Sequence, residues 1–341
     1  MDFTFPKNKV LHNGTLKNHS IRGKKDYFSL IDTLKPTDNQ IQIKGTDYFF
    51  TYLTHSGKNK GGNSVILKLY ESQNISTDEI SYDTPDLVIK ILKFKRANYE
   101  TKSEKRFTKE IDALKRCRDA DFVNVIKIFH NGICKIFNPY DEIFDEHLYY
   151  TMEYAPYDLK TYIEENHKQL SLDIKLSLCL SIAEGLKELE SLDYYHRDIK
   201  PDNIFMSGND WKIGDLGLLA ERNDLNEIDE EAEPIGPRGW MSPESMNKFL
   251  TEGKGFEYPF SCKIDHQSDI FQLGKVFWYI FQHNAPIGSV KESDFKIKNS
   301  QVYSIIKTML NHSKAKRYKT IDEVIKLLKS EEAKLLKTLV F

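Results

Sequence analysis

The feature that most restricts the fold of this chain is a change of hydrophobic period part-way along it. From Asp47 to Leu92 the sequence is strand-like: Tyr48 to Leu53, Val65 to Tyr70 and Leu87 to Leu92 are rich in β-branched and aromatic residues and are bounded by glycines and polar loops, which predicts an antiparallel sheet. A helix is expected near Ser103 to Cys117, where Phe107, Ile111 and Leu114 recur at spacings of four and three and so share one face. Two more strands are expected at Val125 to Phe129 and His147 to Glu153. Beyond Pro156 the period becomes helical. Leu176, Cys179, Leu180, Ala183, Leu186 and Leu189 mark one helix ending just before His196, and Asp269 to Gln282 and Ile321 to Leu336 mark two others. The order predicts an α+β chain with a small antiparallel β-sheet lobe carrying one main helix, then a larger and mostly α-helical lobe, with a cleft near residues 152 to 156.

Composition narrows the function classes. The chain has 341 residues, enough for one large two-lobed domain or two small ones, and 40% of them are hydrophobic, with 18 Tyr and 20 Phe, so a sizeable core can be buried. A formal net charge of -2 gives no global basic field for nucleic acid or an anionic membrane. Cys117, Cys134, Cys179 and Cys262 form no C-x-x-C pair and read as reduced thiols, which with the lack of a signal-like start or a membrane-length apolar run predicts a cytoplasmic protein. Residues 1–46 carry eight Lys or Arg against four Asp or Glu and read as a polar, basic extension. Residues 47–155 are then the N-lobe with its hinge, and 156–341 the C-lobe.

The strongest local signal is His196-Arg197-Asp198-Ile199-Lys200-Pro201-Asp202-Asn203, followed twelve residues later by Asp215-Leu216-Gly217. Phosphoryl transfer needs a carboxylate near the attacking hydroxyl, a cation near the migrating group, and oxygen ligands that hold magnesium against phosphates. Asp198, Lys200, and Asn203 with Asp215 supply these types in turn. The two segments resemble the catalytic loop and the metal-binding element of eukaryotic-type protein kinases, with Ser/Thr-like character. The resemblance implies a bilobal protein-kinase-like fold, ATP as phosphoryl donor, and magnesium, for which manganese can stand in.

Other segments extend the resemblance. Leu87-Val88-Ile89-Lys90 is similar to the family's strand motif whose lysine contacts the α- and β-phosphates, and Glu110 stands where its helical partner is expected. A paired Lys stays charged where burial would favour the neutral amine. Val88 replaces the usual alanine beside the adenine. The glycine-rich loop is eroded: aligned from Asn59, only Gly61 meets a motif glycine, Ser64 and Ile66 take the third-glycine and valine positions, and Gly62 adds freedom. Backbone amides hold phosphates, so such a loop can still cradle them. Tyr149 to Ala155 resembles the strand and hinge of the adenine pocket, with Met152 as gatekeeper and the Glu153 carbonyl and Ala155 amide as partners of the base. Phe205 completes the nucleotide-contacting set. Ser242-Pro243-Glu244, Asp269 and Arg317 resemble the end of the activation segment, a brace of the catalytic loop, and the partner of Glu244 in a buried ion pair.

The departures are informative. Between Asp215 and Ser242 there is no Ser, Thr or Tyr, and Glu221, Asp224, Glu227, Asp229, Glu230, Glu231 and Glu233 face only Arg222 and Arg238. A built-in carboxylate is therefore expected to replace an activating phosphate at Arg197. Pro237 stands where Ser/Thr-specific relatives place a bridging threonine, and Pro286 to Ser300 is short and polar for a substrate-docking helix. The expected activity is transfer of the γ-phosphoryl group of Mg-ATP to Ser/Thr hydroxyls of protein substrates, without activation-loop phosphorylation but with room for autophosphorylation elsewhere. A pseudokinase or nucleotide-binding regulatory scaffold is the alternative. A small-molecule phosphotransferase is disfavoured by Lys200 and Ser242-Pro243-Glu244.

Overall fold

The computed structural model describes residues 2–6, 39–52, 63–72, 85–138, 142–224, 228–256 and 260–339. They fall into two compact units, one comprising Met1–Lys115 with Lys127–Tyr154, the other Arg116–Ile126 with Ala155–Phe341. The first is rich in sheet and the second in helix, the α+β order expected.

The first unit holds a seven-stranded sheet made from β1 (Phe3–Thr4), β2 (Gln40–Ile43), β3 (Thr46–Tyr52), β4 (Ser64–Glu71), β5 (Leu87–Leu92), β6 (Ile128–Asn138) and β7 (Ile143–Met152). The strand order is β1-β6-β7-β5-β4-β3-β2, antiparallel except for the parallel pair β1–β6. Helix α1 (Lys102–Asp119) links β5 to β6. Side chains alternate across a strand, so one face gathers Ile41, Ile43, Tyr48, Phe50, Val65, Leu67, Leu69, Ile89, Ile91, Cys134, Ile136 and Tyr149 into a buried core. The sheet rolls up until its two edges, β1 and β2, approach each other. Lys44 of the β2–β3 turn pairs there with Asp2 at 3.0 Å, and the roll protects edges that would otherwise template foreign strands.

Within residues 1–46, expected as an extension, strands β1 and β2 and the start of β3 join the sheet. Phe5 is fully buried, with its ring edge-on to Phe50 and Phe3 at 5.2 Å each, and Phe3 meets Tyr149 at 4.9 Å. Asp2 accepts from the Ile133 amide at 3.0 Å, and the Phe5 amide donates to the Lys135 carbonyl at 2.8 Å. Gly132 leaves space for the Asp2 carboxylate at this crossing, since a Cβ there would stand 1.6 Å from its Oδ2. Residues 7–38 lie outside the described residues. The β6–β7 hairpin is also longer than the periodicity predicts, because a register shift between Ile128 and Asn131 lets the ladder continue past His130-Asn131-Gly132. Val125 belongs instead to the second unit, bridged to Ile213.

The second unit contains β8 (Tyr157–Asp158), α2 (Leu159–Asn166), α3 (Leu172–Ser191), β9 (Tyr194–Tyr195), β10 (Ile204–Ser207), β11 (Asp210–Ile213), β12 (Ala220–Glu221), α4 (Pro243–Thr251), α5 (His266–Gln282), α6 (Ser300–Met309) and α7 (Ile321–Leu339). Helix α5 is buried almost all round, as an apolar helix at the centre of a core must be. It starts three residues ahead of the expected Asp269, because Asp265 and Ser268 form a reciprocal capping box that satisfies the first free amides. Between α5 and α6 the chain has only one short 3-10 turn, Glu292–Asp294. All four cysteines are free, and among the described residues no helix is long and apolar enough to cross a membrane.

Candidate active site

In the second unit the site is built on the loop after β9 and on the β10–β11 hairpin. Asp269 on α5 accepts the His196 and Arg197 amides, both at 2.8 Å. The buried His196 ring accepts the Asp198 amide at Nδ1 (3.2 Å) and faces the Gly214 carbonyl with Nε2 at 3.1 Å. One neutral tautomer, protonated at Nε2, satisfies both contacts, and burial pushes the ring down to about 4. The residues of this loop converge on one carboxylate: Oδ2 of Asp198 accepts Lys200 Nζ at 2.7 Å and Asn203 Nδ2 at 2.9 Å. Oδ1 of Asp198 is buried without a hydrogen-bond partner among the described residues. Burial pushes Asp198 up to about 6; Lys200 and Asn203 oppose the rise and the nearby Asp215 charge adds to it.

The hairpin places the expected metal ligands. Ile204 pairs with Ile213 and the Gly214 amide donates to the Asn203 carbonyl at 3.0 Å, so Asn203 and Asp215 lie at the same open end of the hairpin. Asp215 adopts φ 56 and is exposed. An amide oxygen and a carboxylate are hard oxygen donors that fit Mg²⁺. Among the described residues no cluster of three or more His, Cys, Asp or Glu could hold a metal alone. The Phe205 ring packs on Gly214, where a Cβ would stand 2.9 Å from it.

In the first unit the register sets the other residues on the sheet face opposite the buried core. Ile66 pairs with Lys90, Lys90 with Tyr150, and Val88 with Met152, so Ile66, Val88, Lys90 and Met152 share that face. Glu110 of α1 reaches Lys90 Nζ with both oxygens, at 2.8 and 3.1 Å. Both are buried, with relative exposures of 8% and 1%. Glu153 accepts the Lys127 amide at 2.7 Å, and Ala155 begins the longer segment of the second unit. Gly61 and Gly62 lie outside the described residues.

Residues 81–339, well over half of the chain, match the family model described as "Protein kinase domain". The chain belongs to the protein kinase family. Its similar proteins include the eIF-2-alpha kinase GCN2 of Arabidopsis thaliana, 30% identical over 157 residues, which are 45% of this chain and 12% of that protein. Receptor-interacting serine/threonine-protein kinase 1 of Homo sapiens is 29% identical over 148 residues, 40% of this chain and 20% of its own length. Serine/threonine-protein kinase STY46 of Arabidopsis thaliana is 25% identical over 251 residues, 72% and 36% of the two chains. The matched part spans less than half the length of each relative.

Two residues of this kinase carry site geometry that sequence patterns did not single out. Tyr150 donates its hydroxyl to Oε1 of Glu110 at 3.0 Å and lies under the Lys90 ammonium, 5.7 Å from ring centroid to Nζ. An aromatic in a strand reads as core, and only its register opposite Lys90 could have marked it. Gln272 on α5 touches the catalytic loop, and nothing in an amide inside an apolar helix announces that. The activation segment of the kinase returns to the same loop: the Arg197 guanidinium pairs with Asp229, both side chains being buried, and Arg197 Nε donates to the Leu218 carbonyl at 2.6 Å.

Proposed function

We propose that this chain transfers the γ-phosphoryl group of Mg-ATP to Ser or Thr hydroxyls of protein substrates. The observation that carries the reading is the asymmetry of Asp198: one oxygen is fixed by Lys200 and Asn203 while the other is buried and has no partner among the described residues. Such an oxygen is suited to orient an incoming hydroxyl and take its proton. Lys90, aimed by Glu110 and Tyr150, would contact the donor phosphates, and Lys200 would offset charge on the migrating group. Magnesium, held through Asn203 and Asp215, would supply charge neutralisation at the phosphates. Ile66, Val88 and Met152 would face the base, with the Glu153 carbonyl and the Ala155 amide as its hydrogen-bond partners. Lys200 favours Ser/Thr over Tyr as acceptor, and a cytoplasmic location suits the composition.

The Arg197–Asp229 pair supports activity without activation-loop phosphorylation, since a carboxylate of the chain already occupies the guanidinium. Phosphatase treatment should leave the rate unchanged, whereas Asp229→Ala should lower it about tenfold.

The direct test is transfer from γ-labelled ATP with Mg²⁺ to the protein itself and to a generic basic protein. Wild type should label Ser or Thr, and Asp198→Asn should lose at least ~100-fold in rate, the scale of a general base. Equal labelling by the two proteins would overturn the role of Asp198. Labelling by neither, with thermal stabilisation by Mg-ATP, would replace the reading with a nucleotide-binding scaffold.

A further inference from the structure

The backbone of the catalytic loop is held in a conformation it would not adopt alone. Arg197, immediately before Asp198, has φ 66, the left-handed region that a residue with a side chain enters only when its surroundings impose it. Four hydrogen bonds from two side chains of α5 impose it here. Asp269 and Gln272 stand three positions apart and therefore share one face of the helix. Asp269 takes the His196 and Arg197 amides. Gln272, itself buried, takes the Ile199 amide on Oε1 and gives Nε2 to the Arg197 carbonyl, both at 3.2 Å.

The two Gln272 bonds straddle Asp198. One grips the peptide group that precedes it and the other the peptide group that follows it. The remaining polar groups of those two peptides are also held, the Asp198 amide by His196 Nδ1 at 3.2 Å and the Asp198 carbonyl by Asn203 Nδ2 at 2.9 Å. The direction of Oδ1 then follows from a backbone fixed on both sides. The activation segment comes up to the same clamp at Gly236, whose φ of 83 disfavours a side chain and whose Cβ would lie 3.1 Å from the Arg197 carbonyl, 3.5 Å from Nε2 of Gln272 and 3.6 Å from Oδ1 of Asp198.

We propose that Gln272 is a positioning residue for phosphoryl transfer, aiming the unpartnered oxygen of Asp198 by clamping the peptide groups on either side of it. Its amide can do both tasks at once, because it carries a donor and an acceptor at the end of one side chain. An apolar residue of equal size would leave the Ile199 amide and the Arg197 carbonyl unpaired inside the unit. The proposal rests on the kinase reading for its consequence and on geometry alone for its cause, and the two are tested separately.

Gln272→Met keeps the volume and removes both bonds. In the full chain its kcat should fall at least tenfold, its KM for Mg-ATP should stay within twofold of wild type, and the Ile199 amide should exchange with solvent at least tenfold faster. In an Asp198→Asn background the same substitution should change the residual rate less than twofold, because it acts through Asp198. Gln272→Glu keeps the shape and the acceptor but loses the donor to Arg197; its kcat should fall while the Ile199 amide stays protected, and it decides the matter if the Met variant does not fold. A folded variant with kcat within twofold of wild type overturns the proposal, as does an equal loss with and without Asp198. Should wild type transfer no phosphate, the kinase reading fails and the clamp is judged by exchange alone: unchanged protection of Ile199 in Gln272→Met overturns it.

Discussion

Lys90 with Glu110 in the first unit and Glu244 with Arg317 in the second are both buried ion pairs, and the two are built differently. In the first unit Lys90 meets Glu110 as a point charge on a flexible stem, steadied by the Tyr150 hydroxyl on the same carboxylate. In the second, the Arg317 guanidinium spreads its donors over Glu244 and the carbonyls of Asn311, Gln267 and His312, while Ser268 adds a hydrogen bond to Glu244 at 3.0 Å. Its plane also lies against Phe271, with the centroid 5.0 Å from Cζ. A planar fork with five fixed N–H groups suits a permanent joint, and an ammonium suits a group that must also serve a ligand. One pair holds three segments together; the other keeps a charge available.

The comparison predicts unequal costs. Arg317→Ala leaves Glu244 buried and uncompensated, so it should cost about 3–5 kcal/mol. Trp211, Trp240 and Trp278 all lie in the second unit, so the loss is read as a lower denaturant midpoint in tryptophan fluorescence. An unchanged midpoint would mean that the joint is not needed. In the first unit the counterpart is an aromatic stave, not a charge: Phe5→Ala empties the end of the rolled sheet and should cost about 3–4 kcal/mol. Far-UV circular dichroism should show it. No loss would mean that the short N-terminal strand merely decorates the sheet.

Acid sharpens the comparison, because among the described residues each unit also buries a neutral histidine. Burial pushes His147 on β7 down to about 4, with Nδ1 donating to the Leu92 carbonyl at 3.0 Å, just as it lowers His196 in the second unit. An unfolded histidine titrates near 6.5, so between that pH and 4 the unfolded chain binds the extra proton. The stabilisation from neutral His147 is therefore complete above about 6.5 and is lost as the pH falls toward 4, by about 3 kcal/mol in all. His147→Gln can still donate to Leu92 but does not titrate. Its stability should fall less steeply between pH 6.5 and 4 than that of wild type, and an equal slope would place the acid sensitivity elsewhere.

What the sequence made legible, and what it hid, follows from the range of the interactions. The catalytic loop packs Asp198, Lys200 and Asn203 within six residues, so their convergence on one carboxylate is nearly a local event. Lys90 and Glu110 are separated by twenty residues but lie on a strand and the helix that follows it, and their spacing survives into the structure. Phe3 and Phe5 offered no such handle: a two-residue strand has no measurable period, and its partner β6 lies some 130 residues along the chain. Gln272 was hidden for a different reason. Its neighbours Ile270, Phe271 and Leu273 make the helix read as uniform core, and only the rotation of α5 against the loop reveals that its amide faces Asp198. The hairpin β6–β7 was underestimated because a bulge breaks the alternation on which strand recognition rests.

Tyr150 is the smallest and most specific test of the contrast between the two ion pairs. Its hydroxyl donates to a carboxylate already paired with Lys90, so Tyr150→Phe removes one hydrogen bond to a charged group while leaving the ring against Phe107, 5.4 Å away. A loss of about 1.5 kcal/mol is expected in the stability of the first unit. The consequence for Lys90 is the more telling quantity. Without the tyrosine, Glu110 loses one of its constraints, so Lys90 should be aimed less sharply at the donor phosphates. Under the proposed function, KM for Mg-ATP should rise about three- to tenfold with kcat changed less. Stability loss with unaltered kinetics would show that Lys90 and Glu110 align themselves, making the first pair as self-sufficient as the second.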